Sequence, residues 1–174
     1  AAEAELLRRF GPGAAADGTA PLQRLSLDAL LLRSLRAQAD AAKADWARVL
    51  AADAAPHDSR DWTNLQRLVQ RCLPTLRQAL LQAGAPLLVV HAGLLARYGL
   101  LGLLVDLEAA AGTPGHTPAA CLLLPSRQPG RPAIDSTAVP LVHAGQVLAL
   151  PQAWIENRHR TASAPPHASE SLPP

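Results

Sequence analysis

PLLVVHA (residues 86–92), then Gly93, a leucine-rich stretch from Leu94 to Ala111, and AACLLLP (residues 119–125): this succession decides the fold. The first segment is a continuous apolar run carrying two valines. Such a run suits a strand buried on both faces, the habit of parallel sheets. Gly93 punctuates it, and Leu94–Ala111 reads as a helix ending at Gly112. AACLLLP reads as a second buried strand. Strand, crossover helix and strand in about 40 residues make a βαβ unit.

Working outward, Ala133–Ile134 and Ala138–Val142 are short extended pieces joined through a turn at Asp135-Ser136. Residues 138–142 are expected to join the same sheet. AGQVLALPQAWIEN (144–157) holds the last helical turns, broken at Pro151. On the N-terminal side, LQRLSL (22–27) reads as a short strand, and Ser26 or Asp28 can cap the next helix. Leu31, Leu35 and Ala39 recur at spacing four and predict that helix over 28–42. A second helix runs to about Ala52. Ser59 or Asp61 opens a third, to about Ala83, with Leu65, Leu68, Val69, Cys72, Leu76, Leu80 and Leu81 on its apolar side. Pro74 kinks or splits that helix, and Gly84 serves as its C-cap. The expected class is α/β: a small, mostly parallel, Rossmann-like sheet preceded by a helical N-terminal half. The expected divisions are a fragment end and linker (1–21), one domain (22–160) with a helical half (22–84) and a βαβ half (85–160), and a disordered tail (161–174).

Composition supports a folded core and little else. Of 174 residues, 49% are hydrophobic, 17% charged and only 3% aromatic, so the core is built from Leu, Ala and Val. Lys and Arg number 16 against 14 Asp and Glu, and Lys43 is the single lysine. A net charge of +2 gives no concentrated field for nucleic acid. There is no Met, and AAEAELLRRF lacks the pattern of a signal peptide, so the expectation is a fragment of a longer cytoplasmic protein. The most apolar stretch is interrupted by His91, Arg97, Asp106 and Glu108, which argues against a membrane span. Cys72 and Cys121 lie in apolar runs and read as buried thiols; a disulfide between them is the lesser alternative.

The chemistry-bearing motifs are sparse. Neither GxxxxGK[ST], GxGxxG nor GxSxG occurs. His91, His116 and His143 share no ligand spacing, and no metal or other cofactor is expected. In a parallel sheet, ligands bind beyond the carboxyl ends of the strands. His91 and the segments 125–131 and 143–145 fall there, making His91, Arg131 (or Arg127) and His143 candidates for a small-molecule cleft. An ordinary loop histidine is the plainer reading. In HDSRDWTNLQRLVQR, Arg60, Arg67 and Arg71 form a candidate interaction face with Trp62 nearby; the plainer reading is a cap followed by a solvated helix face, with Trp62 packed as a staple. Arg67 and Arg71 are one turn apart, whereas Arg60 falls in the cap. Weak, salt-sensitive DNA binding is the most these few arginines support. Arg97 is a further cleft candidate beside Tyr98.

Taken together, SLDALLLRSLRAQA, DWARVLAADAAPHDSRDWTNLQRLVQR, PLLVVHAGLLARYGLLGLLVDLEAAAGTPG, CLLLP, PAIDSTAVPLV and LPQAWIENRHR resemble the C-terminal region of the Pgl/BREX-type phage-defence proteins, the PglW-type serine/threonine kinases above all. The resemblance spans about Leu25 to Arg160. It implies a cytosolic multidomain protein acting with a methyltransferase, a phosphatase-like protein and an ATPase. A kinase also needs a glycine-rich loop, a lysine, an HRD-like loop and a DFG-like metal site. None lies in these 174 residues, so no catalytic residue carries over. Two function classes stay open. One is a non-catalytic module that docks other domains of the parent or defence-system proteins. The other is a small-ligand or nucleotide-binding domain of degenerate ATPase type. The ligand domain requires a concave pocket at the strand ends. The docking module requires an exposed Leu-rich patch where the missing parent packs.

Overall fold

The computed structural model describes residues 1–13, 20–125, 130–141 and 144–156. Helix α1 (Ala2–Phe10) is succeeded by strand β1 (Gln23–Ser26) and four helices: α2 (Leu27–Ala41), α3 (Trp46–Asp53), α4 (Arg60–Gln70) and α5 (Leu73–Leu81). Strand β2 (Leu87–Val90), helices α6 (Gly93–Arg97) and α7 (Gly102–Ala110) and strand β3 (Ala120–Leu122) complete the βαβ unit. A hairpin of β4 (Ala133–Ile134) and β5 (Thr137–Ala138), a 3-10 turn (Ala144–Gln146) and α8 (Gln152–Ile155) come last. The class is α/β, with one small parallel sheet ordered β1-β2-β3.

The central strand is the one its composition foretells. Leu87, Leu88, Val89 and Val90 are all buried. Leu87 and Val89 join the helical core, and alternation sends Leu88 and Val90 to the opposite face. Gln23 pairs with Leu87 and Ser26 with Val90 on one side. On the other, Leu87 pairs with Ala120 and Val89 with Leu122.

The surroundings of β2 depart from expectation in four places. The strand at 119–125 is shorter and forms an edge, so Ala120 and Cys121 are exposed and only Cys72 is a buried thiol. Residues 138–142 do not extend the sheet. Asp135 (φ 47°) and Ser136 (φ 68°) make a two-residue turn that folds β5 back on β4 as a separate antiparallel pair, while Val142 lies outside the described residues. Two successive positive φ angles define the type I′ turn that matches strand twist. The third sheet member is instead β1. Finally, Leu94–Ala111 is two helices. Leu100 N–H donates to Leu95 C=O at 2.7 Å and Gly99 N–H to Ala96 C=O at 3.2 Å, with Gly99 at φ +70°. This is the Schellman closure, with glycine in the left-handed position and buried leucines, Leu95 and Leu100, on either side of it.

The other helix boundaries have local causes. Ser26, Asp45 and Ser59 cap α2, α3 and α4 by accepting from Ala29, Ala47 and Trp62 N–H. Pro74 splits the predicted 61–83 helix by standing in the first turn of α5, where its missing N–H costs nothing. The end of α5 is closed by Thr117 rather than Gly84: its Oγ donates to Leu80 C=O at 2.5 Å and accepts from Ala83 N–H at 3.1 Å. Helix α2 lies at the centre, burying Leu27, Leu31, Leu35 and Ala39 against α3, α4, α5 and α6. Among the described residues no helix is long and apolar enough to cross a membrane.

Candidate docking surface

Strands β1 and β2 run in the same direction, so Ser26 and Asp28 meet His91 and Gly93 at their carboxyl ends. Ser26 Oγ is 3.3 Å from His91 Nδ1. Asp28 N–H donates to His91 C=O at 2.8 Å, and Asp28 Oδ1 accepts from Leu94 N–H at 2.9 Å. A Cβ at position 93 would lie 3.5 Å from Asp135 Oδ2 and 3.6 Å from Asp28 Oδ2, so two carboxylates flank the start of α6. His91 takes φ +49°, uncommon for a residue with a side chain, because its carbonyl must turn toward Asp28.

This edge therefore spends Ser26 and Asp28 on holding the loop after β2. His91 and Arg131 are exposed there and on the β4 approach. Arg127 and His143 lie outside the described residues, so the described members of the expected cleft are His91 and Arg131 alone. No group of three or more His, Cys, Asp or Glu converges to hold a metal ion among the described residues. His116 stays within its own loop, 3.0 Å from Thr113 Oγ. Of the two residues expected to cap α2, Ser26 does so, while Asp28 serves the start of α6, 66 residues away, which the sequence did not indicate.

Arg97 points away from that edge. Its Nε donates to Asp53 Oδ1 at 2.7 Å and its second terminal nitrogen to Asp53 C=O at 2.6 Å; Tyr98 OH donates to the same Oδ1 at 2.9 Å. Burial alone would raise the Asp53 carboxyl, but the Arg97 and Tyr98 hydrogen bonds outweigh it and hold the group below its ordinary value. Burial first, then the bond to Asp53, pushes Tyr98 up to about 12. Trp62 is buried beneath this clasp, stacked on His57 at 4.0 Å and 5.9 Å from the Tyr98 ring. The clasp joins α3 to the end of α6, and Arg97 is a structural cation.

On α4, Arg60, Arg67 and Arg71 are exposed, and their positions converge more closely than the sequence reading allowed. Ser59 is the cap, so Arg60 is the first helical residue. Positions 60, 64, 67 and 71 then keep the i, i+4, i+7, i+11 spacing of one helix stripe. Asn64 completes it, accepting from Arg67 at 3.2 Å. Beside the stripe runs a groove of about 480 Å³ between α3 and α4, lined by Lys43, Asp45, Arg48, Val49, Ala52, Asp61, Asn64, Leu65 and Leu68. A smaller cavity of about 180 Å³ lies between α5 and α7. Sequence reasoning missed the groove, because its walls are contributed by two helices whose packing is a tertiary matter. The spacing of Arg60, Asn64, Arg67 and Arg71 was the available signal.

Comparison with known proteins supplies one relationship. The chain is similar to the Probable kinase PglW of Streptomyces coelicolor, with 32% identity over 148 residues. The similarity covers 79% of this chain and 9% of the length of that relative. No protein-family model matches the chain, and no solved structure matches it.

Proposed function

We propose that the chain is a non-catalytic docking module of a PglW-type phage-defence kinase, working in the cytoplasm and binding other domains of its parent and proteins of the defence system. One observation carries this reading: most of the chain is similar to a small segment of a much longer protein named as a kinase. The polar groups of the strand edge support it. Ser26, Asp28 and the His91 carbonyl are occupied with loop closure, whereas the exposed cations and the groove of α3 and α4 offer a surface.

Phosphoryl transfer depends on metal-bound phosphates and a positioned base. In this reading those groups belong to the rest of the parent. The test is deletion of the segment equivalent to residues 22–156 from a PglW-type kinase. Phosphoryl transfer to a generic acceptor persists, while co-purification with the defence partners is lost. Retained partner association after deletion, or Mg-dependent ATP turnover by the chain itself, refutes the proposal.

A further inference from the structure

We infer that the groove between α3 and α4 binds an acidic amphipathic helix of a partner protein. The inference rests on the docking reading and gives its partner a chemistry.

The floor of the groove is apolar: it reaches the outer edges of the core residues Val49 and Ala52 from α3 and Leu65 from α4, together with the half-buried Leu68. Its banks carry both signs, and the cations extend beyond them. Lys43 and Arg48 stand on the α3 side, and the Arg60, Arg67 and Arg71 stripe adjoins the α4 side at Asn64. Elsewhere most described basic groups are paired, Arg33 and Arg131 excepted. Arg8 and Arg9 share Glu5, and Arg24, Arg36, Arg77 and Arg97 each have a carboxylate within reach, with Glu3, Asp40, Asp106 and Asp53 respectively. Lys43, Arg48, Arg60, Arg67 and Arg71 have no ion-pair partner among the described residues. Two acids also line the groove, and Asp45 is committed to the α3 N-terminus, 3.0 Å from Ala47 N–H. Lys43 and Arg48 balance Asp45 and Asp61 in the lining, and the adjoining Arg60, Arg67 and Arg71 leave the surface around the apolar trough net positive.

That combination selects the occupant. A helix laid in a groove presents apolar side chains at i, i+3, i+4 and i+7 to the floor and its outer residues to the banks. With acidic outer residues it complements both. The 11 residues of α4 extend about 16 Å, matching three turns of a guest helix. Nucleic acid fits less well. Its affinity comes from phosphate neutralisation, which has no use for an apolar floor and is opposed by Asp61 in the wall.

The test uses the whole 174-residue chain and fluorescence anisotropy. The probe is a labelled peptide of about 18 residues with leucines at i, i+3, i+4 and i+7 and glutamates on its outer positions. Binding is expected, weakening as salt rises to about 150 mM. It should fall at least tenfold for Arg67→Glu with Arg71→Glu, and for a peptide whose leucines are replaced by serine. A peptide with lysines in place of the glutamates should not bind. Arg33→Glu, on the outer side of α2, should leave binding unchanged. Circular dichroism checks that each variant is folded, and Arg67 and Arg71 are exposed enough to change without unfolding the chain. No peptide binding, indifference to the Arg67 and Arg71 replacements or to loss of the leucines, or tighter binding to duplex DNA each overturns the inference. If the chain still co-purifies with its parent kinase in those cases, the docking reading stands and only the groove assignment fails. If that association is absent too, both fail.

Discussion

Replacing Thr117 by valine keeps the side-chain volume and removes one hydroxyl. Thr117 is fully buried, and that hydroxyl serves two backbone groups at once, the Leu80 carbonyl at 2.5 Å and the Ala83 N–H at 3.1 Å. Both sit where α5 stops, and a helix end leaves its last carbonyls without partners of their own. A buried polar group stripped of its partner costs about 1–3 kcal/mol. Two such groups give a loss of about 2–4 kcal/mol for Thr117→Val. Thr117→Ser keeps both bonds and loses one methyl, about 0.8 kcal/mol. In urea unfolding the valine variant should show a lower midpoint at unchanged slope, because the surface exposed on unfolding is the same. For a chain of this size, with about 2–4 °C per kcal/mol, the melting temperature should drop by roughly 4–16 °C. A valine variant within about 0.5 kcal/mol of the parent, or one no worse than the serine variant, would refute the role given to Thr117.

Three further outcomes are expected. Gly99→Ala should cost about 1–2 kcal/mol because φ +70° admits a side chain poorly, while Gly102→Ala, with open space at the start of α7, should gain about 0.5–1 kcal/mol; equal effects in thermal melts would contradict the two-helix closure. Hydrogen bonds from Arg8 and Arg9 lower the Glu5 carboxyl from 4.5 to about 2. A depressed carboxyl contributes stability above its unfolded value and loses it as pH falls toward the folded one. Glu5→Gln should therefore destabilise at neutral pH, and the gap to the parent should close between about pH 4.5 and 2 in acid titrations of stability. Tyr98 is the single tyrosine of the chain, so its ionisation can be followed by ultraviolet absorbance without interference. It should titrate near 12, and lower for Asp53→Asn; because the raised value favours the neutral form in the fold, stability should decline as pH rises above 10. Titration of the folded parent at 10 would be inconsistent with the clasp.

What the sequence determined is whatever short-range physics enforces. Leu87–Val90 is apolar at every position and lands in the middle of the sheet. Leu31, Leu35 and Ala39 repeat at helical spacing and line the face of α2 that is buried. Pro74 interrupts the helical run that precedes it, Ser59 or Asp61 opens the α4 helix, and Asp135-Ser136 turns a chain between two strand pieces. The α/β class comes from these local signals, and the resemblance to PglW-type kinases from the same stretches. What only the tertiary structure decided are relations between distant residues. AACLLLP has the composition of a buried strand, yet it pairs on one side only and exposes Cys121, because edge or centre depends on which strand lies next to it. Gln23–Ser26 is too short to announce a sheet partner, and its place beside β2 comes from register between segments far apart in the chain. Arg97 looks the same in sequence whether it faces a ligand or Asp53, and Thr117 is one more polar residue in a loop until α5 ends against it. The groove and its cations exist because α3 and α4 pack side by side, and packing geometry is written in no single helix.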